Sequence, residues 1–202
     1  MRLLFLYAIC FEEGEGVKLN AVEPIRDKKD IQDIYDYLKE KNMRDAVLFA
    51  TGIYTGLRIS DILLLRVRDV RGKEYICLRE KKTGKQKRIK INRFLKKLYA
   101  DYIGNKKDYE CLFHGKERIN KPITRQQAYN ILQDAAEHIG LADAIGTHTM
   151  RKTFGYHYYQ KTKDVGMLME IFNHDHPSIT LRYIGITQKN IAKAYDEFDI
   201  LS

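Results

Sequence analysis

The sequence predicts an α+β fold that is mainly α-helical, with one small antiparallel sheet near residues 70–91. Three observations lead to this fold class. Most of the chain carries apolar residues at the spacing of a helix, and in one region this spacing changes to that of a strand. In addition, no linker rich in proline, glycine or serine divides the 202 residues. We therefore expect a single domain of ordinary size.

The first predicted element is an amphipathic helix at residues 28–41. Its apolar residues repeat at the i, i+3, i+4, i+7 spacing that places them on one face, namely Ile31, Ile34, Tyr35 and Leu38. A more apolar and therefore more buried helix is predicted at 44–54, ending before Gly56. Ser60 is the predicted N-cap of a short third helix.

The sheet is predicted where the spacing of apolar residues changes from that of a helix to that of a strand. Tyr75–Arg79 and Arg88–Ile91 are short runs of β-prone residues on either side of the Thr-Gly-Lys-Gln sequence at 83–86, and this arrangement predicts a β-hairpin. Asn92 is then the predicted N-cap of a helix that ends at Gly104, a residue type that suits a left-handed C-cap.

Helices account for the rest of the chain. Thr124 and Gln127 have the spacing of a capping box, which opens a helix that Gly140 closes. Residues 1–23 do not match this pattern, since they are apolar, then acidic and glycine-rich. We interpret them as an N-terminal arm or an expression remnant in front of a domain at 24–202. Four further helices are predicted in that domain, around residues 148–161, 165–172, 178–184 and 188–198.

The positive charge is concentrated in one segment. The chain has a formal net charge of +9, and residues 79–97 contain ten basic side chains against one acid, Glu80. A basic stripe on an otherwise neutral body is typical of a protein that binds a polyanion such as nucleic acid. An ordinary solvated surface segment would give the same pattern, so charge alone leaves both interpretations open.

Composition excludes several classes of protein. The longest apolar run, Leu3–Phe11, has nine residues, whereas a membrane-spanning helix needs about 20. Glu12 and Glu13 follow this run where a signal peptide would carry small residues, so we expect a cytoplasmic protein without a membrane partner. A disulfide framework and a cysteine zinc site are excluded by the spacing of the cysteines, which are Cys10, Cys77 and Cys111.

Seven side chains are candidate site residues: Arg58, Asp61, Lys82, His148, Arg151, His174 and Tyr183. Taken one at a time, each has an ordinary structural explanation. Arg58 and Asp61 form a common i, i+3 charge pair, Lys82 is one lysine of the basic stripe, and Tyr183 is one of fourteen tyrosines. The His-x-x-Arg pair lies at the start of a predicted helix, where free N–H groups also favour a bound anion.

As an ordered set, Arg, Lys, His-x-x-Arg, His and Tyr resemble the catalytic residues of the tyrosine recombinase (phage integrase) family, over about residues 24–200. The resemblance rests on four segments, which are Thr55–Asp61 (TGLRISD), Lys82–Lys85 (KTGK), His148–Arg151 (HTMR) and Ile171–Tyr183 (IFNHDHPSITLRY). The last segment is the most specific and looks most like the short recombinases of Gram-positive mobile elements. Asn173 departs from the glycine that many relatives carry before this histidine.

The resemblance implies a site-specific DNA recombinase. Such an enzyme cleaves and rejoins double-stranded DNA through a 3′-phosphotyrosyl intermediate, without a metal or another cofactor. Tyr183 would attack the scissile phosphate, and His148 would take its proton. Arg58 and Arg151 would bind the non-bridging oxygens, because guanidinium groups stay protonated at any working pH.

The remaining roles also follow from the resemblance. Lys82 on the hairpin would protonate the leaving 5′-oxygen, His174 would donate a hydrogen bond to the phosphate, and Asp61 would hold the Arg58 region in place. His176 is close to His174 in sequence but precedes Pro177, which favours an extended backbone and a place away from the phosphate. DNA backbone contacts are expected from the basic stripe, at Lys81, Lys85, Lys87 and Arg88.

The resemblance further implies a monomer or weak oligomer when free and a tetramer on paired DNA sites, assembled through a C-terminal helix at 187–198. The apolar face of this helix could equally pack on its own domain. We do not expect the family's N-terminal DNA-clamping domain, because residues 1–23 are too few to form it. Two alternatives remain open at this stage. One is a DNA-binding module without catalytic activity, and the other is a topoisomerase-like enzyme that nicks and reseals DNA without exchanging partners.

Overall fold

The computed structural model describes residues 22–115 and 119–186 together with Phe198, and these residues form a mainly helical body with one two-stranded sheet. The predicted α+β fold class is therefore confirmed. The helices are α1 (Lys28–Lys41), α2 (Met43–Thr55), α3 (Ile59–Ile62), α4 (Arg93–Ile103), α5 (Arg125–His138), α6 (Thr149–Thr162), α7 (Val165–Phe172) and α8 (Pro177–Tyr183), and the strands are β1 (Tyr75–Arg79) and β2 (Gln86–Lys90). None of these helices has the length and apolar character needed to cross a membrane.

Local capping sets the ends of the first two helices. Asp27 accepts a hydrogen bond of 2.7 Å from a backbone N–H in the first turn of α1. Asn42 serves both helices, since its N–H bonds to the last turn of α1 while its side chain accepts from the Arg44 N–H at 3.0 Å. The predicted bounds at 28–41 are confirmed, and the helix predicted at 44–54 is one residue longer at each end.

Helix α2 forms the centre of the core. Residues 46–50 are almost completely buried, and α2 packs on α1, α4 and α6. Gly52 permits a close approach to α6, because a Cβ at this position would lie 2.5 Å from the sulfur of Met150. This contact places the N-terminal turn of α6, which carries Arg151, beside the end of α2.

A left-handed turn ends α2. Gly56 has φ 61° and ψ 17°, and a Cβ there would lie 2.6 Å from the ring of Phe154. Helix α3 then begins at Ile59, so the prediction that Ser60 is its N-cap is wrong. Arg58 holds the N-cap position instead, because its backbone stays extended at ψ 145° after the turn and Ser60 is already inside the helix.

A smaller apolar cluster holds α6, α7 and α8 together. Leu168 and Phe172 on α7 and Ile184 after α8 are fully buried. Gly155 on α6 lies against this cluster, where a Cβ would come within 2.7 Å of both Phe172 and Ile184. The close packing fixes α8, and with it Tyr183, against α6.

The hairpin projects from this helical body. Strands β1 and β2 pair in antiparallel register, with Tyr75 opposite Lys90. The connecting residues 80–85 are closed by backbone hydrogen bonds of 2.8 and 2.9 Å, and Gly84 adopts the positive φ of 68°. The predicted hairpin is confirmed, although β2 begins and ends earlier than the predicted 88–91.

The remaining helices follow their sequence signals closely. Asn92 and Thr124 cap α4 and α5 as predicted, and Thr124 forms the reciprocal capping box. The left-handed C-cap predicted at Gly104 is wrong, because a ψ of −121° at φ 47° takes the chain out of the left-handed helical region. Helices α6, α7 and α8 agree with prediction to within one residue at each end. The helix predicted at 188–198, like nearly all of residues 1–23, lies outside the described residues.

Candidate active site

The structure brings four predicted site residues, Arg58, His148, Arg151 and His174, around a fifth, Tyr183. The Tyr183 hydroxyl lies 3.4 Å from His148 Nδ1, and its ring meets the ring of His174 edge to face with 5.4 Å between their centres. Arg151 and Arg58 both lie close enough to act electrostatically on the Tyr183 phenol. The five side chains come from the ends of α3, α6 and α8 and from the loop before α8.

Arg151 is the most deeply held of these side chains. It is only 2% exposed, and its guanidinium donates hydrogen bonds to the backbone carbonyls of Gly56 and Phe172, the latter at 3.0 Å. These carbonyls stand at the C-terminal ends of α2 and α7, where the helix dipoles are negative and stabilise a cation. Burial lowers the pKa of Arg151, but an arginine in a protein keeps its charge. The structure therefore holds a fixed positive charge beside Tyr183.

The carboxylate partner of Arg58 is Glu80, at the start of the hairpin turn. Arg58 Nη1 lies 2.8 Å from Glu80 Oε1, and the Arg58 side chain is 15% exposed. The contact is an ion pair, and Nη1 has no other acceptor among the described residues. The ion pair joins the helical side of the site to the hairpin.

The carboxylate of Glu80 is buried and contacts three side chains. Only 2% of its surface is exposed, Thr83 donates a hydrogen bond of 2.8 Å to its Oε2, and Lys87 Nζ lies 3.2 Å from its Oε1. Burial alone would raise the pKa of Glu80, but the Thr83 hydrogen bond and the charges of Lys87 and Arg58 outweigh it and lower the pKa. Glu80 is therefore ionised at neutral pH.

Asp61 and Lys82 occupy different positions on this side of the site. The buried Asp61 accepts a hydrogen bond of 3.0 Å from the Lys81 N–H, so it ties α3 to the hairpin turn. Lys82, the next residue, is exposed and forms no hydrogen bond or ion pair within the described ranges. Its charge nevertheless contributes to lowering the pKa of His148 and of His174.

His148 and Tyr183 are two titratable side chains in direct contact. His148 stands at the N-cap of α6 without capping it, which leaves the imidazole free to turn toward Tyr183. Desolvation lowers the pKa of His148, and the positive charges of Arg151 and Lys152 lower it further. Burial raises the pKa of Tyr183, although Arg151 and Arg58 oppose the rise. At neutral pH the pair is a neutral imidazole beside a protonated phenol.

His174 lies at the turn between α7 and α8. Its Nδ1 is 3.0 Å from the hydroxyl of Thr180, and burial followed by the charges of Arg151 and Arg58 lowers its pKa. The residue before it, Asn173, ends α7 with φ 55° and ψ 57°. Asparagine is one of the residue types that adopt this left-handed conformation at little cost.

The side chain of His176 does not take part in the site, because it caps α8. Its backbone is extended at φ −143° and ψ 141°, as the following proline predicts. The exposed His176 side chain accepts a hydrogen bond of 3.2 Å from the Ser178 N–H and so caps α8. The structure does not bring His176 to Tyr183.

The basic stripe divides into exposed and inward-facing side chains. Lys81, Lys85 and Arg88 are exposed, and the Arg88 guanidinium stacks 3.7 Å from the centre of the Tyr75 ring. Lys87, the fourth expected DNA contact, does not share their exposed surface. Its ammonium pairs with Glu80 and donates a hydrogen bond to the Ile171 carbonyl, because the alternation of β2 turns this side chain toward α7.

Sequence reasoning missed Glu80 and Thr180. Glu80 had a usable signal, since it is the one acid among the ten basic side chains of residues 79–97. Thr180 had none, because its contact with His174 depends on how α8 packs against the preceding loop.

Comparison with known proteins places the chain in a family. Residues 26–190 match the model of the phage integrase family. The chain is 49% identical over 180 residues to the probable integrase/recombinase YoeC of Bacillus subtilis (strain 168), covering 89% of this chain and 98% of that protein. It is 23% identical over 177 residues to the tyrosine recombinase XerA of Pyrococcus furiosus, covering 86% of this chain but only 61% of XerA.

Solved structures share the fold. A crystal structure of XerA recombinase superposes with a TM-score of 0.69 at 17% identity, covering 87% of this chain and 65% of that one. The catalytic domain of bacteriophage HP1 integrase gives a TM-score of 0.59 at 18% identity, covering 87% of this chain and 95% of that domain. The family match spans most of the chain and agrees with the fold and with the order of the site residues, so the chain belongs to the phage integrase family.

Proposed function

We propose that this chain is a tyrosine-type site-specific DNA recombinase that cleaves and rejoins double-stranded DNA through a 3′-phosphotyrosyl intermediate. The observation that carries the proposal is the position of the Tyr183 hydroxyl, 3.4 Å from His148 Nδ1 and beside the buried guanidinium of Arg151. Family membership and the recombinase names of the relatives support the same class of reaction.

Tyr183 is the proposed nucleophile, and His148 is its proton acceptor. Only about a thousandth of an ordinary tyrosine is ionised at pH 7, and burial raises the pKa of Tyr183 further. The phenol therefore needs a base as it attacks the phosphorus. An imidazole whose pKa is lowered is neutral at this pH and can take the proton.

Arg151 and Arg58 stabilise the transition state in this proposal. The pentacovalent phosphorus gathers negative charge on its non-bridging oxygens, and fixed cationic donors stabilise that charge without reorganising during the reaction. Arg151 is fixed by two backbone carbonyls at helix ends. Arg58 is placed by its ion pair with the buried carboxylate of Glu80.

Lys82 and His174 complete the proposed chemistry. The leaving 5′-oxygen needs a proton, and the exposed Lys82, whose charge acts on His148, is the proposed donor. His174 supplies one more hydrogen bond to the phosphate. Asp61 supports the arrangement through its hydrogen bond with the Lys81 N–H, which fixes the turn next to Lys82.

The partner of this site is double-stranded DNA. The net charge of +9 and the exposed side chains of Lys81, Lys85 and Arg88 supply the phosphate contacts that such binding needs. We further propose that residues 24–202 act as the catalytic unit, in the cytoplasm, as a monomer or weak oligomer that becomes a tetramer on paired sites.

Covalent trapping tests the proposal. Sequences that the protein retains would first be selected from a random duplex pool, and nicked suicide duplexes would be built from them, so that the cleaved fragment diffuses away and the adduct accumulates. We expect a covalent protein–DNA adduct that mass spectrometry maps to Tyr183. The matched control is Tyr183→Phe, which removes one hydroxyl and should bind the duplex without forming the adduct.

Each other outcome of this experiment contradicts a stated part of the proposal. An adduct on Tyr156, Tyr158 or Tyr159 would reject Tyr183 as the nucleophile. Binding without any adduct would favour a DNA-binding module. Relaxation of supercoiled plasmid without exchange of strands between two sites would favour a topoisomerase-like activity.

A further inference from the structure

A buried hydroxyl stands behind His174. Thr180 on α8 is completely buried, and its Oγ1 lies 3.0 Å from His174 Nδ1. Helical threonines often donate to the carbonyl four residues earlier. In the described structure the hydrogen bond of the Thr180 hydroxyl is made to His174 instead.

This contact bears on which nitrogen of His174 carries a proton. A neutral imidazole has one donor nitrogen and one acceptor nitrogen, and the partner of one nitrogen sets the state of the other. Burial and the charges of Arg151 and Arg58 lower the pKa of His174, so the ring is neutral at neutral pH. A neutral His174 donates from Nε2 only when Nδ1 is free of its proton.

The surroundings of Thr180 favour donation by the hydroxyl. If Nδ1–H were the donor, the hydroxyl proton would need another acceptor in a fully buried position, and the described neighbours provide none. A buried donor without an acceptor costs about 1–3 kcal/mol. Donation from Thr180 to Nδ1 removes this cost and leaves the proton of His174 on Nε2.

We propose that Thr180 is a positioning residue that holds His174 as the Nε2–H tautomer, so that Nε2 can donate to a non-bridging oxygen of the scissile phosphate. Thr180 does not touch the phosphate and acts only through His174. The inference rests on the proposed function for its consequence in cleavage, but its structural part concerns the free protein alone. The rings of Phe172 and Tyr183 restrict the imidazole from its sides, with 5.5 and 5.4 Å between ring centres.

The tautomer is measured directly by nuclear magnetic resonance. In protein labelled with ¹⁵N, long-range ¹H–¹⁵N correlations distinguish protonated from unprotonated ring nitrogens, and His174→Gln identifies the His174 signals among the six histidines. We expect Nδ1 of His174 to be unprotonated and Nε2 to be protonated in the wild type and in Thr180→Ser. In Thr180→Val, which keeps the shape but removes the hydroxyl, we expect a mixture of the two tautomers.

Single-turnover cleavage supplies the functional readout. We expect Thr180→Val to slow adduct formation by about tenfold, Thr180→Ser to restore most of the rate, and Thr180→Val to have little further effect in a His174→Ala background. A proton on Nδ1 in the wild type would overturn the proposal. Slow cleavage by Thr180→Val with an unchanged tautomer would also overturn it, since that result indicates only a packing role. If no variant forms an adduct, the proposed function fails, while the tautomer measurement still decides the role of Thr180.

Discussion

Two regions of the site, which we call the helical cradle and the hairpin turn, differ in how they hold positive charge. The helical cradle is the set of Arg58, His148, Arg151, His174 and Tyr183, and the hairpin turn is here residues 81–85, which include Lys82. In the cradle, Arg151 is buried and bonded to two helix-end carbonyls, whereas Lys82 is exposed and lacks a partner within the described chain. In the proposed reaction, the phosphate-binding Arg151 is therefore fixed by the protein itself, whereas the proposed acid Lys82 is not held by a described side chain.

Glu80 connects the two regions. It pairs with Arg58 on the cradle side and accepts from Thr83 within the turn. Asp61 forms a second link between the two regions, because it accepts a hydrogen bond from the Lys81 N–H. A substitution in the cradle should therefore affect both folding and chemistry, one in the turn should affect chemistry alone, and one at Glu80 should affect the link between them.

The largest effect is expected for Arg151→Lys. Lysine keeps the charge but cannot donate to both carbonyls and to a phosphate, so we expect cleavage to slow by about 10²–10³-fold and the free energy of unfolding to fall by about 1–3 kcal/mol. Single-turnover cleavage and urea denaturation measure the two effects. Arg125→Lys, at an exposed arginine on α5, is the matched control. If the Arg151→Lys variant were stable and fully active, the two hydrogen bonds that fix the Arg151 guanidinium would not matter for folding or cleavage.

Lys82→Ala should separate chemistry from binding. We expect near-normal DNA affinity and stability but cleavage slower by about 100-fold, because a general acid contributes roughly that much. A substrate with a 5′-bridging phosphorothiolate, whose leaving group needs no proton, should restore the rate. Lys81→Ala, at the adjacent exposed lysine, is the control and should respond equally to both substrates. Without rescue, Lys82 is not the acid.

The two neighbouring histidines should differ in effect. We expect His174→Ala to slow cleavage by at least about tenfold, which corresponds to about 1.4 kcal/mol of transition-state stabilisation. His176→Ala should change the rate by less than about threefold, because this side chain only caps α8 at the surface. Rates on one suicide substrate, with melting temperatures as a check on folding, give the comparison. A stronger effect at His176 would show that the wrong histidine is assigned.

Glu80→Gln tests the link between the regions and has a defined pH dependence. The pKa of Glu80 is lowered in the folded protein, so its contribution to stability is present above the ordinary glutamate range near pH 4 and is lost as pH falls through the folded pKa. We expect the variant to be about 1–3 kcal/mol less stable at pH 7 and to approach the wild type in acid. Urea denaturation at several pH values measures this. An equal loss at all pH values would mean that the carboxylate charge is not involved.

The smallest effect is expected on the salt dependence of DNA binding. Neutralising Lys81, Lys85 and Arg88 together should reduce the slope of log K against log salt by about 2–3 units if all three contact phosphates. Lys87→Gln should leave the slope nearly unchanged, because its ammonium is engaged with Glu80 and the Ile171 carbonyl. Equal effects of the four residues would show that Lys87 turns outward on DNA.

Local signals predicted the elements well because short-range contacts determine them. The caps at Asn92 and Thr124 and the hairpin around Gly84 depend on atoms only a few residues apart. The boundary errors at Ser60 and Gly104 arose where the chain leaves one element for the next and the backbone path follows tertiary packing.

The sequence by itself determined the order and spacing of the site residues, with His148 and Arg151 on one helix turn and Tyr183 at the end of another. Only the tertiary structure decided which atoms meet. Arg58 could have paired with Asp61 three residues away, but the packing of the hairpin on α3 supplies the buried Glu80 instead. The reason is physical: two opposite charges attract more strongly where the fold excludes water, and a linear sequence does not specify that place.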